Sequence, residues 1–94
     1  MTMKTKLYSV YDSKAEAFNE PFYANKDGLA IRIFTDHVNR DETIWGKYPH
    51  DFTLFQIGEF DSEKGSLTPL DTPRNLGMAI EFMDTQEPLL KEVT

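Results

Sequence analysis

Residues 51–61 read DFTLFQIGEFD. Alternating apolar and polar side chains over this length are the signature of a β-strand. In simple alternation Thr53, Phe55, Ile57 and Glu59 share one side. Phe52, Leu54, Gln56 and Phe60 share the other, with Gly58 between them. Bulky apolar groups fall on both sides, so both sides of the strand need cover. Gly58 marks a bulge or a close backbone approach.

The cover for one side lies upstream. In 25–41, NKDGLAIRIFTDHVNRD, the residues Leu29, Ala30, Ile33, Phe34, His37 and Val38 recur at helical spacing. Asn25 is placed to cap this helix, Asp27 suits its positive end, and Asn39 marks its stop. Ile31 falls at the border of the apolar stripe. Before the helix, KLYSVYD (6–12) reads as a first strand. Leu7, Ser9 and Tyr11 share one of its faces, and Tyr8 and Val10 share the other. SKAE (13–16) matches a capping box, and Pro21 stops any helix begun there. Residues 13–23 are therefore a short connector, tucked onto the body by Phe18, Phe22 and Tyr23.

DETIWGKYPH (41–50) reads as a loop punctuated by Gly46 and Pro49. After the central strand, DSEKG (61–65) fits a hairpin turn with a late glycine. SLTPL (66–70) is the return strand, with Pro69 at an edge or an end. DTPRN (71–75) is a further turn. LGMAIEFM (76–83) alternates large and small residues as a strand does, with a short helix as the competing reading. Phe52, Phe55, Phe60 and Phe82 are expected in the core. The expected fold is α+β: a small two-layer sandwich of about four mainly antiparallel strands with one main helix across a face. Residues 1–83 form a single domain and 84–94 a C-terminal tail.

The 94 residues include 10 basic and 16 acidic side chains, a formal charge of −6. The 39% hydrophobic and 13% aromatic content is that of a folded chain rather than a disordered one. With no cysteine there is no disulfide frame, thiolate nucleophile or thiolate metal site. No apolar run approaches a membrane span, and the start MTMKTKLYSVYDSK lacks a signal-peptide core. The chain reads as soluble and intracellular. Affinity for DNA rests largely on cations that displace counterions from phosphates, and the basic residues here are scattered.

Three kinds of site are weighed. Asp36–His37 and His50–Asp51 are acid–histidine pairs of the type that ligate a metal or relay a proton, but they lie in different elements and match no spacing motif. Serines lack nucleophile-elbow glycines, and no phosphate loop is present. The chain is therefore expected not to be an enzyme and to carry no cofactor and no resident metal. Trp45 and Tyr48, with Lys47 between them and Arg40 and Arg32 upstream, form a nucleic-acid-binding candidate in which rings stack on bases and cations hold phosphates. The competing reading folds Trp45 and Tyr48 back over the sheet edge. The rings on both sides of the central strand add one more expectation. The helix covers one face, and a second copy in a homo-oligomer covers the other.

The blocks YSVYDSKAEAFNEPFYANKDGLAIRIFTDHVN (8–39) and HDFTLFQIGEFDSEKGSLTP (50–69) resemble the small nonstructural protein of gokushoviruses, microviruses with circular single-stranded DNA genomes. The resemblance rests on VYDSKAEAF, on Pro21-Phe22, and on AIRIF followed by an acid and Asn39. It rests further on HDFTLFQIGEFD followed by a glycine and LTP. One histidine is inserted in the Pro-acid-aromatic-Thr-Leu run at 49–54, and the last third matches weakly. The resemblance implies a bacteriophage protein made in the cytoplasm of an infected bacterial host. It implies a DNA-binding role or an accessory role in DNA replication or DNA packaging, with phage or host replication or packaging proteins, and single-stranded DNA, as partners. It carries over no catalytic residue.

Overall fold

The computed structural model describes residues 4–84. The strands are β1 (Lys4–Asp12), β2 (Ala17–Phe18), β3 (Phe22–Ala24), β4 (Phe52–Asp61) and β5 (Ser66–Met78). Two helices, α1 (Asp27–Val38) and α2 (Ile44–Lys47), lie between β3 and β4, and a 3₁₀ turn (Ala79–Phe82) follows β5. All strand pairings are antiparallel: β1 lies between β4 and a broken edge made of β2 and β3, and β5 flanks β4. The α+β fold with one main helix over the sheet is as expected. The expected tail (84–94) lies outside the described residues beyond Asp84, whose N–H donates to Asn39 Oδ1 at 2.7 Å.

The two hairpin tips are built alike. In DSEKG the Asp61 carboxylate accepts the Glu63 and Lys64 amides, and Gly65 takes φ 66°. In DSKAE the Asp12 carboxylate accepts the Lys14 and Ala15 amides, and Glu16 takes φ 58°. The expected capping box at 13–16 is therefore absent. Asp12, not Ser13, satisfies the free amides, and the chain reverses into β2. Glu16 occupies a left-handed position that disfavours a side chain by about 1–2 kcal/mol. Glu16→Gly is expected to raise stability by about 0.5–1 kcal/mol, the strain relief outweighing the extra freedom glycine gives the unfolded chain. A thermal midpoint raised by a few degrees checks it, and an unchanged or lower one refutes it.

Helix α1 begins one turn-position later than expected. Lys26, not Asn25, is the N-cap residue, and no side chain caps the end. The helix buries Ala30, Phe34 and Val38, one residue per turn at a spacing of four. Ile31 packs beside them, while Leu29 (41%) and Ile33 (38%) remain exposed. The buried stripe is thus rotated away from Leu29 and Ile33 and toward Ile31. Sheet residues Tyr8, Val10, Phe52 and Leu54 complete the core beneath it.

Residues 41–50, expected as a loop, contain the one-turn α2. Thr43 Oγ1 accepts the Gly46 N–H at 3.2 Å and donates to the His37 carbonyl at 2.8 Å, which binds α2 to the end of α1. The alternation at 76–83 ends at Met78. Gly77 turns with φ 133°, and the Glu81 carboxylate accepts the Met78 N–H at 3.0 Å, closing a 3₁₀ turn where a strand was expected. The stretch 66–78 is one strand rather than strand, turn and strand, but its pairing lapses over residues 70–73.

Candidate interaction surfaces

The central strand carries an irregularity that decides which side chains face outward. Tyr8 pairs with Gln56, yet Leu7 pairs with Gly58, so Ile57 is an extra, unpaired residue. Such a bulge reverses the in–out order of everything beyond it. Simple alternation placed Glu59 beside Phe55, and Phe60 beside Leu54. The bulge exchanges them, bringing Phe60 to the open side of the sheet and Glu59 to the side that carries α1. Gly58 permits this, because a Cβ there would lie 2.7 Å from the Thr68 carbonyl oxygen.

Paired residues share a face, so the register sorts every paired position of the sheet. On the helix side are the rows Lys4–Asp61–Ser66, Lys6–Glu59–Thr68 and Tyr8–Gln56–Arg74. Further along come Val10–Leu54–Gly77 and Asp12–Phe52. On the open side the first row is Phe18–Tyr11–Thr53–Met78 and the second Ser9–Phe55–Asn75. The third is Tyr23–Leu7–Gly58–Pro69 and the fourth Thr5–Phe60–Leu67. Every charged residue paired in the sheet falls on the helix side; Asp71, in the unpaired part of β5, is assigned to neither face by the register. An antiparallel sheet with one solvated face normally shows the opposite order. Phe55 and Phe60, expected in the core, lie on this open side and are only partly buried.

The open face is tiled by rings. Tyr11, Phe18 and Phe55 form a triad with centroid separations of 4.8, 5.7 and 6.5 Å. Tyr23 and Phe60 pair at 5.7 Å at the other end. Phe18 is 44% and Tyr23 53% exposed, so the tile is not closed over. The rings on both sides of the central strand pointed to an apolar second face; the register shows which residues line it, with Phe60 on it and Glu59 off it.

The stacking candidates are split by the fold. The Trp45 ring packs 5.4 Å from Phe34, 5.2 Å from His37 and 6.3 Å from Phe52, which ties it to the core as the competing reading expects. Tyr48 is 50% exposed, and Lys47 Nζ stands 5.6 Å from its ring centroid. Arg40 and Lys47 line one depression of about 300 Å³, together with Asp41 and Glu42. Arg32 lines a different one with Tyr23, Leu29 and Ile33. Lys47 and Tyr48 are therefore brought together, Trp45 is turned inward beside them, and Arg32 lies apart.

His37 Nδ1 is 3.1 Å from the Ile33 carbonyl oxygen and its ring lies against Trp45, whereas His50 is exposed in a depression with Lys47, Tyr48, Pro49 and Asp51. Asp36 is exposed. Among the described residues no three His, Asp or Glu side chains gather as a metal site would require. None of the described helices is long and apolar enough to cross a membrane.

The strongest electrostatic feature lies at the start of α1. Asp27 accepts the Tyr8 hydroxyl at 2.7 Å and an Arg74 N–H at 2.7 and 2.9 Å, with Lys6 Nζ at 3.5 Å. Arg74 also donates to Gln56 Oε1 at 2.7 and 3.0 Å, so β1, β4, β5 and α1 meet in one network. The Tyr8 bond, then Arg74, hold the Asp27 carboxyl down to about 2. Burial, then the bond to Asp27, push the Tyr8 phenol well above its ordinary range, so it remains a donor. A depressed carboxyl pKa contributes stability above its unfolded value and loses it as the pH falls through its folded value. Asp27→Asn is therefore expected to cost about 1–2 kcal/mol near neutrality, allowing for solvent screening of a partly exposed group. That cost fades between about pH 4 and pH 2. Urea midpoints of the two proteins, compared across this window, check it. A gap that persists at pH 2 would contradict the assignment.

The family model described as Phage ORF5 protein matches residues 5–82. Protein ORF5 of Chlamydia phage 1 is 38% identical over 68 residues, covering 68% of this chain and 71% of that protein. The resemblance to the small gokushovirus protein, read from the blocks at 8–39 and 50–69, is borne out by these matches. No solved structure matches this chain.

Proposed function

We propose, because this chain belongs to the Phage ORF5 protein family, that it is a non-catalytic binding protein serving replication or packaging of a single-stranded phage genome in the host cytoplasm. It acts by presenting a surface to another macromolecule. The observation that carries this reading is the open sheet face, whose paired rows are rich in rings and hold no charged residue although the chain carries −6. A surface of that composition is unfavourable in water until something covers it. Its lack of cations favours protein over nucleic acid as the cover.

A complementation experiment tests the proposal. A phage lacking this gene is supplied with the wild-type protein or with Phe18→Asp, and single-stranded viral DNA, duplex viral DNA and filled particles are counted. The wild type is expected to restore single-stranded DNA or filled particles, and the variant to fail while remaining folded. A gene-deficient phage with normal counts of all three would remove the proposed role.

A second reading is direct single-stranded DNA binding at α2. The exposed Tyr48 ring with the Lys47 ammonium beside it favours this reading. Trp45, packed next to them, is the natural reporter. A change in its emission on titration with an oligonucleotide at low salt, lost in Tyr48→Ala, supports it. A flat titration counts against it.

A further inference from the structure

We infer that the open sheet face is closed by a second copy of this chain, packed face to face about a two-fold axis. The inference rests on the reading of that face as a docking surface and names its partner.

Three observations select a second copy. The first is charge. A chain of −6 repels its own copies over most of its surface. The open face is where two copies meet with the least opposition of like charges, since Lys4, Lys6, Asp12, Glu59, Asp61 and Arg74 all fall in rows on the other side of the sheet. A basic or acidic partner would be recognised through charges, and the paired rows of this face offer none. Single-stranded DNA needs cations beside the rings to track its phosphates, and an anionic lipid surface needs them for the same reason.

The second is area. Four strands about 4.8 Å apart, crossed by a nine-residue strand rising about 3.3 Å per residue, offer roughly 20 × 30 Å, or about 600 Å² per copy. Two copies would bury about 1,200 Å², which clears the roughly 1,000 Å² that specific interfaces need. The third is the distribution of rings. The triad occupies the Tyr11 and Ser9 rows toward one end, and the Tyr23–Phe60 pair occupies the Leu7 and Thr5 rows toward the other. Under a two-fold axis lying across the strands, the triad of one copy meets the ring pair of the other, and their side chains interdigitate as between packed sheets.

Light scattering across a hundredfold dilution in the micromolar range tests this. The wild type is expected to show the mass of two chains at the upper end. Phe18→Asp and Tyr23→Asp alter exposed positions at opposite ends of the face, so circular dichroism is expected to report an intact fold. Each is expected to weaken association at least roughly tenfold by setting an unpaired charge in the interface. Leu29→Asp, an exposed apolar position on α1, is expected to leave the mass unchanged. A wild type monomeric throughout overturns the inference, as does a dimer indifferent to both face variants. Should Leu29→Asp dissociate the dimer as strongly as the face variants do, the interface lies elsewhere and the inference also falls. A monomeric wild type whose face variants still fail to support the phage would overturn the second copy alone. The face would then serve a different protein, and the proposed function would stand.

Discussion

Phe34→Ala is expected to lower stability by about 3–5 kcal/mol, the range for truncating a fully buried ring. Phe34 has no exposure, stands 5.4 Å from Trp45 and meets Phe82 edge to face at 5.9 Å. Its removal opens a cavity where α1, α2 and the 3₁₀ turn converge on the sheet. None of these short elements can collapse into the space, because each is held by its own hydrogen bonds. Asn39 donates to the Thr35 and Phe82 carbonyls, and Ile80 N–H bonds to the Pro49 carbonyl. Small domains hold only about 5–15 kcal/mol in total, so much of the margin goes with this one ring. Urea unfolding followed by Trp45 emission measures it. A loss below about 1 kcal/mol would show that α1 is not the lid of this core.

Gly46→Ala is expected to cost about 3 kcal/mol, at the upper end for forcing extra atoms into packed structure. A Cβ on Gly46 would drive into the Val38 carbonyl, which is backbone and has no rotamer to give way. The clash would separate α2 from the end of α1 and pull Trp45 off Phe34. Thr43→Ala removes only the hydroxyl's bonds at the same junction and is expected to cost about 1 kcal/mol. The decisive comparison is between the two. An alanine at 46 tolerated as well as an alanine at 43 would mean that the two helices are not in close backbone contact.

The strands and the main helix were legible because each satisfies a local rule. FTLFQIGEFD alternates, and AIRIFTDHV recurs at helical spacing. What local rules do not contain is register. The alternation of β4 holds up to Gln56 and then inverts at Ile57, and only the pairing of Leu7 with Gly58 shows the inversion. Phe60 and Glu59 were therefore assigned to the wrong sides, and with them the character of the open face. The same limit explains α1. Its apolar stripe is broad enough to admit two rotations, and contact with Tyr8, Val10 and Leu54 selects the one that buries Ala30, Phe34 and Val38. The tip at 13–16 misled for a different reason. A serine three residues before a glutamate satisfies the capping-box pattern, but Asp12 competes for the same amides and holds two of them.

The candidate site was legible in its residue types but not in its grouping. Lys47 and Tyr48 are neighbours in sequence and remain together in space. Trp45 is one helical turn from Tyr48, yet its large apolar ring is drawn to the nearest core, as burial of some 150–250 Å² of aromatic surface demands. Arg32 and Arg40 are two turns apart, and they line different depressions. The Asp27 network escaped sequence reading altogether, because Arg74 reaches it across 47 positions of chain.

The lapse in pairing at residues 70–73 bears on what this sheet does when copies crowd together. β5 forms one outer border, and at and beside this lapse Pro73 and Pro69 have no amide to offer. The opposite border is interrupted at residues 19–21, where Pro21 has no amide to offer. Neither margin therefore presents a long, continuous ribbon of free donors and acceptors for another strand to zip onto. Ribbon-like polymerisation is disfavoured from both sides, and a concentrated solution of this chain is expected to stay clear of fibrils.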